Sequence, residues 1–223
     1  MTINVSVTHK THYNYDKFIK LGTQTIRLRP APHNKIPIKS YNFEVRPKDH
    51  FLNWYQDIYG NFLANIVIPE RTNFFSFEVD LKAEINVINP FDFFIDEPYE
   101  YWPFNYEQAQ LNDLSIYMQA AENGELLRKW LDENIYSQNL KGMKTLDFLV
   151  DVNAKLNHSL GYIIRLESGV YSCEETLSKG ICSCRDMAWL LCNIFRHLGI
   201  ASRFTSGYLV QLKADQKSLK GPS

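Results

Sequence analysis

A change of hydrophobic period partway along the chain constrains its fold more than any other feature. Over roughly the first ninety residues, apolar side chains recur at every second position. Ile3, Val5 and Val7 alternate with Asn4, Ser6 and Thr8, and Ile26 and Leu28 with Arg27 and Arg29. Tyr41, Phe43 and Val45 alternate with Asn42, Glu44 and Arg46. Phe75, Phe77, Val79 and Leu81 alternate with Ser76, Glu78, Asp80 and Lys82. Successive strand side chains point to opposite faces, so this pattern predicts strands with one buried face. Tyr59-Gly60-Asn61 separates two aromatic and apolar runs. Gly and Asn accept the positive φ of a tight turn, so a hairpin is expected there. Six or seven short strands at regular spacing favour a β-sandwich.

From about residue 106 the period becomes helical. Leu111, Leu114 and Met118 share one face, and Asn123-Gly124 is expected to end that helix. Leu127, Trp130, Leu131 and Ile135 predict a second helix. Leu146, Leu149, Val150, Asn153 and Leu156 predict a third, and Gly161 precedes a strand-like run over 162–166. Residues 185–198 carry the strongest helical pattern, with Ala188, Leu191, Cys192, Phe195 and Leu198 on one face. Gly199 follows at the position where a left-handed residue closes a helix. Residues 202–212 return to strand character. Between the two regimes, 89–105 holds Asn89-Pro90, Glu97-Pro98 and Trp102-Pro103 among seven aromatics. Proline removes a donor and restricts its predecessor. This stretch therefore reads as an ordered aromatic linker, a lid over a domain junction rather than a carbohydrate-binding surface.

The 223 residues amount to about one and a half domains. The division expected is a β-sandwich over 1–88, the linker over 89–105, and an α/β unit over 106–223. Hydrophobic residues are 45% and charged residues 22%, a globular balance that excludes a disordered or polyelectrolyte chain. A net charge of -1 provides no global field to attract nucleic acid or an anionic membrane. Residues 1–20 lack the apolar core of a signal peptide, and no run of about 18 apolar residues occurs. A cytoplasmic location is expected.

Chemistry concentrates in one place. Cys173, Cys182, Cys184 and Cys192 all fall within twenty residues. A secreted disulfide framework would spread them along the chain, so a reduced compartment is expected, with a metal site or a reactive thiol. The C-x8-C-x-C-x7-C spacing has no C-x-x-C pair, which disfavours zinc, and no metal or cofactor is expected. Ser183-Cys184-Arg185-Asp186 stands directly before the strongest helix. A cysteine there faces unsatisfied backbone N–H groups and the positive end of the macrodipole. Both favour thiolate over thiol, and the same N–H groups can hold an oxyanion. Arg185 adds positive charge nearby, Gly180 permits a sharp approach of the loop, and Asp186 is placed to cap the helix or form a salt bridge. A buried structural cysteine is the plainer alternative.

Residues 180–191, Gly-Ile-Cys-Ser-Cys-Arg-Asp-Met-Ala-Trp-Leu-Leu, resemble the nucleophile motif of bacterial transglutaminase-like proteins, within the papain-related cysteine-hydrolase superfamily. Glu174-Glu175-Thr176-Leu177 before it is similar too, as are residues 196–204 and Ser206-Gly207-Tyr208-Leu209 after it. Thr8-His9-Lys10-Thr11, Arg27-Leu28-Arg29-Pro30, residues 57–61 and residues 89–94 resemble the β-rich domain that precedes the core in this family. The resemblance implies an α+β chain: an N-terminal β-sandwich, then a papain-like, transglutaminase-like α/β core. It implies Cys184 as nucleophile of a Cys-His-Asp triad that cleaves amide or peptide bonds through an acyl-enzyme, a cysteine protease activity.

The family's His and Asp lie after the Ser-Gly-Tyr segment, so both are expected beyond residue 223, and the core is expected to be truncated there. His197 is thirteen residues along the helix from Cys184, roughly 20 Å at 1.5 Å per residue and out of reach. His158 has no motif around it. His9, His12, His33 and His50 belong to the β-region as surface or satisfied residues. Asp186 and Trp189 are expected to shape the helix start rather than do the chemistry. Cys182 stands where the family usually has a small residue such as Gly, and Cys173 where it usually has Pro. Tolerated drift and a second thiol able to silence Cys184 by a disulfide both remain open. The partners expected are a protein or peptide substrate and further domains of a longer native chain. The competing function is a non-catalytic interaction module that works through the aromatic β-region.

Overall fold

The alternating N-terminal half forms six antiparallel strands in the computed structural model, which describes residues 2–32, 34–86 and 89–210. The strands are β1 (Thr2–Ile19), β2 (Gln24–Ile26), β3 (Ile38–Arg46), β4 (Phe51–Gln56), β5 (Phe62–Val67) and β6 (Thr72–Asn86). They make two three-stranded sheets, ordered β1-β6-β3 and β2-β5-β4. Along β6 the odd positions Phe75, Phe77, Val79, Leu81 and Ala83 are buried, as a period of two requires. Phe77 lies opposite Thr11 of β1 and Val45 of β3, which fixes the register of both neighbours. Ile66 of β5 joins Val45, Phe75 and Phe77 in one core cluster, so residues of both sheets meet. The expected hairpin is present, with Gln56 opposite Phe62. Asp57 closes its turn by accepting from the N–H groups of Tyr59 and Asn61, both at 2.9 Å.

The chain divides into two compact units between Phe93 and Phe94. The second unit is mainly helical: α1 (Gln108–Met118), α2 (Glu125–Leu131), α3 (Thr145–Ser159), α4 (Cys173–Lys179) and α5 (Cys184–His197). A π-helical turn, Asp132–Tyr136, extends α2. Four short strand pieces contribute: β7 (Tyr101–Trp102) pairs antiparallel with β8 (Met143–Lys144), and β9 (Gly161–Tyr162) pairs parallel with β10 (Ile181–Cys182). Leu127 and Leu131 of α2, Phe148, Val152 and Leu156 of α3, and Leu190 and Ile194 of α5 form the core. The aromatic stretch belongs to this unit from Phe94 onward. Trp102 stacks on the fully buried Phe148 with ring centroids 4.1 Å apart, and Thr145 donates to the carbonyl of Tyr99 at 2.6 Å.

Four local expectations are corrected. The helix over α1 ends at Met118, ahead of Asn123-Gly124. Gly124 begins α2 instead, beneath the Glu174 carboxylate that accepts from Leu126 and Leu127 N–H. A β-carbon at Gly124 would stand 2.1 Å from the Glu174 carboxyl carbon, so close approach explains the glycine. The strand-like run over 162–166 pairs only at its first residue. Residues 202–210 form no strand, and 211–212 lie outside the described residues. Finally, α3 buries Phe148 and Val152, while Val150, expected on that face, is 47% exposed.

Phe148→Ala removes a fully buried ring stacked on Trp102. It is expected to destabilise the chain by about 3–5 kcal/mol in urea unfolding, and a loss under about 1 kcal/mol would contradict the packing described.

Candidate active site around Cys184

The Cys184 site forms where a strand turns into a helix. Gly180 ends α4 with φ +64°, a left-handed conformation that a side chain would oppose. The chain then pairs for two residues in β10, and Ser183 serves as the N-cap of α5. Cys184 is the first helical residue and is exposed. Backbone N–H groups in this first turn lack intrahelical partners, and the helix presents the positive end of its dipole here.

Asp186 holds this turn in place. Its buried carboxylate accepts from the backbone N–H of Ser183 at 3.0 Å and from the Ser183 hydroxyl at 2.6 Å. Arg165 donates to it twice, from Nε at 3.2 Å and from Nη2 at 3.0 Å. The N–H of Tyr171 donates at 2.8 Å. Burial alone would push the carboxyl up. The hydrogen bonds from Arg165, Ser183 and Tyr171 outweigh it and hold Asp186 below the usual carboxylate range. The Arg165 side chain is only 6% exposed and lies over the Tyr171 ring, 3.9 Å from its centroid. Arg185 points its guanidinium at the same loop, donating to the carbonyls of Arg165 and Glu167.

Farther along α5, three side chains fasten the segment before α2. Trp189 Nε1 donates to Glu122 Oε1 at 2.6 Å. Asn193 Oδ1 accepts from the N–H of Ala121 at 3.0 Å, and Arg196 donates to the carbonyl of Gln119 at 3.1 Å. The other carboxylate oxygen of Glu122 accepts from Cys173 N–H at 2.6 Å.

The remaining cysteines differ from Cys184. Cys173, Cys182 and Cys192 are buried, and all four are free. Burial pushes up the Cys173 thiol, and the nearby Glu122 adds to it. Burial likewise raises Cys182, with the Asp186 charge contributing, and it raises Cys192. Among the described residues no group of three or more His, Cys, Asp or Glu is placed to hold a metal ion. His197 Nε2 lies 2.7 Å from the carbonyl of Glu122. His158 is exposed at the end of α3, and His9, His12 and His50 belong to the first unit. His33 lies outside the described residues. No described histidine hydrogen-bonds Cys184.

Arg165, Glu122 and Asn193 were not singled out as site residues from the sequence. An arginine inside an apolar run, and an asparagine at core spacing on the strongest helix, were the available signals.

Residues 5–84 match the bacterial transglutaminase-like N-terminal region, and residues 135–219 match the transglutaminase-like superfamily. No curated protein matches the chain. The fold matches a solved structure described as a putative cysteine protease from Cytophaga hutchinsonii, with a TM-score of 0.62 at 14% identity. That match covers 89% of this chain and 66% of the other, so this chain spans just under two thirds of its length.

Two outcomes check the site. Iodoacetamide near pH 7 is expected to label Cys184 well ahead of Cys173, Cys182 and Cys192, with all four labelling once the chain is denatured; equal slow labelling of Cys184 and Cys192 in the folded chain would contradict it. Asp186→Asn leaves the buried Arg165 charge unpaired and is expected to destabilise by about 3–5 kcal/mol at pH 7. Because the folded carboxyl is held low, its contribution is full above the unfolded value of about 3.9 and is lost as pH falls through the folded one. The stability gap between parent and variant should therefore narrow below about pH 4.

Proposed function

We propose that this transglutaminase-like chain is a cysteine hydrolase acting on amide or peptide bonds, with Cys184 as its nucleophile. The observation that carries the reading is that Cys184 is the one exposed cysteine of the four and opens the helix that Asp186 fastens. In the proposed step the Cys184 thiolate attacks the substrate carbonyl carbon. Backbone N–H groups of the first turn of α5, that of Cys184 among them, receive the developing oxyanion. The carbon–nitrogen bond breaks, the amine leaves with a proton, and a thioester to Cys184 remains. Water or an amine then resolves that thioester, which makes hydrolysis and transamidation two outcomes of one intermediate.

The mechanism needs a base to take the thiol proton and an acid to protonate the amine. We assign both roles to a histidine beyond residue 223, oriented by an aspartate from the same region. The family resemblance supports that assignment, and so does His197, which lies at the opposite end of α5 from Cys184 with its Nε2 at the Glu122 carbonyl. Asp186 and Trp189 are positioning residues. A free nucleophilic thiol is durable in a reducing compartment, and on that ground we place the chain in the cytoplasm. No helix among the described residues is long and apolar enough to cross a membrane.

Acylation alone can be read on this chain. With p-nitrophenyl acetate, attack by Cys184 breaks the ester carbon–oxygen bond, releases p-nitrophenolate and leaves an acetyl thioester. A burst of one equivalent per chain, faster than with glutathione at the same pH, is expected in the parent and should vanish in Cys184→Ala. A burst that persists in Cys184→Ala sinks the assignment.

A further inference from the structure

The loop clamped beside Cys184 is inside out. From residue 162 to 166 burial alternates: Tyr162, Ile164 and Leu166 are exposed, while Ile163 and Arg165 turn inward. The charged member of this run is covered, its side chain 6% exposed, whereas Ile164 is 51% exposed and Leu166 is 92% exposed. Alternation normally hides the apolar side chains and solvates the charge. Here Asp186 reverses the order. It draws Arg165 inward with two hydrogen bonds, and Ile164 and Leu166 on either side face outward.

The exposed side chains are also held in position. Arg185 donates to the carbonyls of Arg165 and Glu167, the residues on either side of Leu166. Tyr171 closes the far end of the loop through its N–H to Asp186. At the near end, Ile163 N–H donates to the carbonyl of Cys182 at 2.9 Å, two residues before Cys184. An apolar strip is therefore ordered within one arginine side chain of the exposed thiol. An ordered apolar surface left in water is a binding surface, and its place selects the occupant. The loop that carries the strip is bonded to Cys182 and Arg185, which stand on either side of Cys184 in the chain.

We propose that Ile164 and Leu166 form a docking strip for an apolar side chain of the peptide substrate, adjacent to the bond cleaved. This deepens the hydrolase reading and rests on it for the identity of the ligand. Arg165 and Asp186 act on selectivity as positioning residues, because their pairing sets which side chains of the loop face outward.

The test compares two alkylating probes, iodoacetamide and N-hexyl iodoacetamide. In each case the Cys184 sulfur bonds the methylene carbon and iodide leaves, so the probes differ only in the apolar tail. The rate ratio of hexyl to parent probe at Cys184, read by peptide mass spectrometry, is compared with the ratio for glutathione. The strip is expected to raise it about tenfold, the effect of covering roughly two methylenes. Leu166→Ser and Ile164→Ser alter exposed positions, and each should bring the ratio back towards that of glutathione. A ratio equal to glutathione's in the parent chain overturns the proposal, and so does a raised ratio that survives both substitutions. Loss of a dimer in sedimentation as the only effect of Leu166→Ser also overturns it, in favour of a second copy of the chain. Slow reaction of Cys184 with both probes would instead count against an activated thiol, and the ratio would still decide on the strip.

Discussion

The buried carboxylate of Asp186 ties together three stretches of chain that nothing in the sequence places side by side. It accepts from Ser183 at the head of α5, from the Arg165 guanidinium and from the backbone of Tyr171. A carboxylate and a guanidinium withdrawn from water are tolerable only while paired and hydrogen-bonded. Moving the 163–171 loop would strand both charges, so the loop and the helix start behave as one piece. The exposure of Cys184, two residues from Asp186, depends on that piece staying intact.

The rest of α5 extends the same logic along its length. Leu190 and Ile194 face the core, and beside them the fully buried Asn193 bonds the segment around Ala121 and Glu122. Trp189 and Arg196 add bonds to Glu122 and Gln119 on either side. The helix that presents the candidate nucleophile is thus anchored by apolar packing on one stripe and by polar latches on its margins. Polar groups at such buried positions are directional, and each accepts only one arrangement of its neighbours. That gives the helix a fixed rotation about its axis, which oil-like packing alone leaves looser.

This explains where sequence reading succeeds and where it fails. The strands of the first unit are legible because one face is buried and the period of two is clean, as along Phe75 to Ala83. All five helices except the short α4 announce themselves by spacing. The buried stripe of α5 does not. Apolarity selects Ala188, Leu191, Cys192, Phe195 and Leu198, of which Cys192 is buried, yet the stripe deepest in the fold runs through Asp186, Leu190, Asn193 and Ile194. Two of those four are polar, and their partners include Arg165, twenty-one residues before Asp186, and Ala121, seventy-two before Asn193, which hydrophobic pattern cannot register. Gly124 shows the same limit: its glycine answers Glu174, fifty residues on, and not the end of its own helix. Cys184 was legible because its chemistry comes from local position, at the first turn of a strong helix. Arg165 was not, because its role exists only once Asp186 is opposite.

The four cysteines sharpen the point about local position. They look like one cluster in the sequence, and Cys182 and Cys184 are separated by a single serine. In the fold that serine is the N-cap, where strand gives way to helix. On its strand side the pleat turns Cys182 into the core, fully buried beside Cys173 in the same cluster. On its helix side the first turn carries Cys184 outward to solvent. Burial that raises a thiol disables it as a nucleophile, so Cys182 is withheld by the same two-residue step that presents Cys184. Selectivity among neighbouring thiols then needs no difference in residue type. It follows from the change of secondary structure at Ser183, which the Asp186 carboxylate secures through both the backbone and the hydroxyl of that residue.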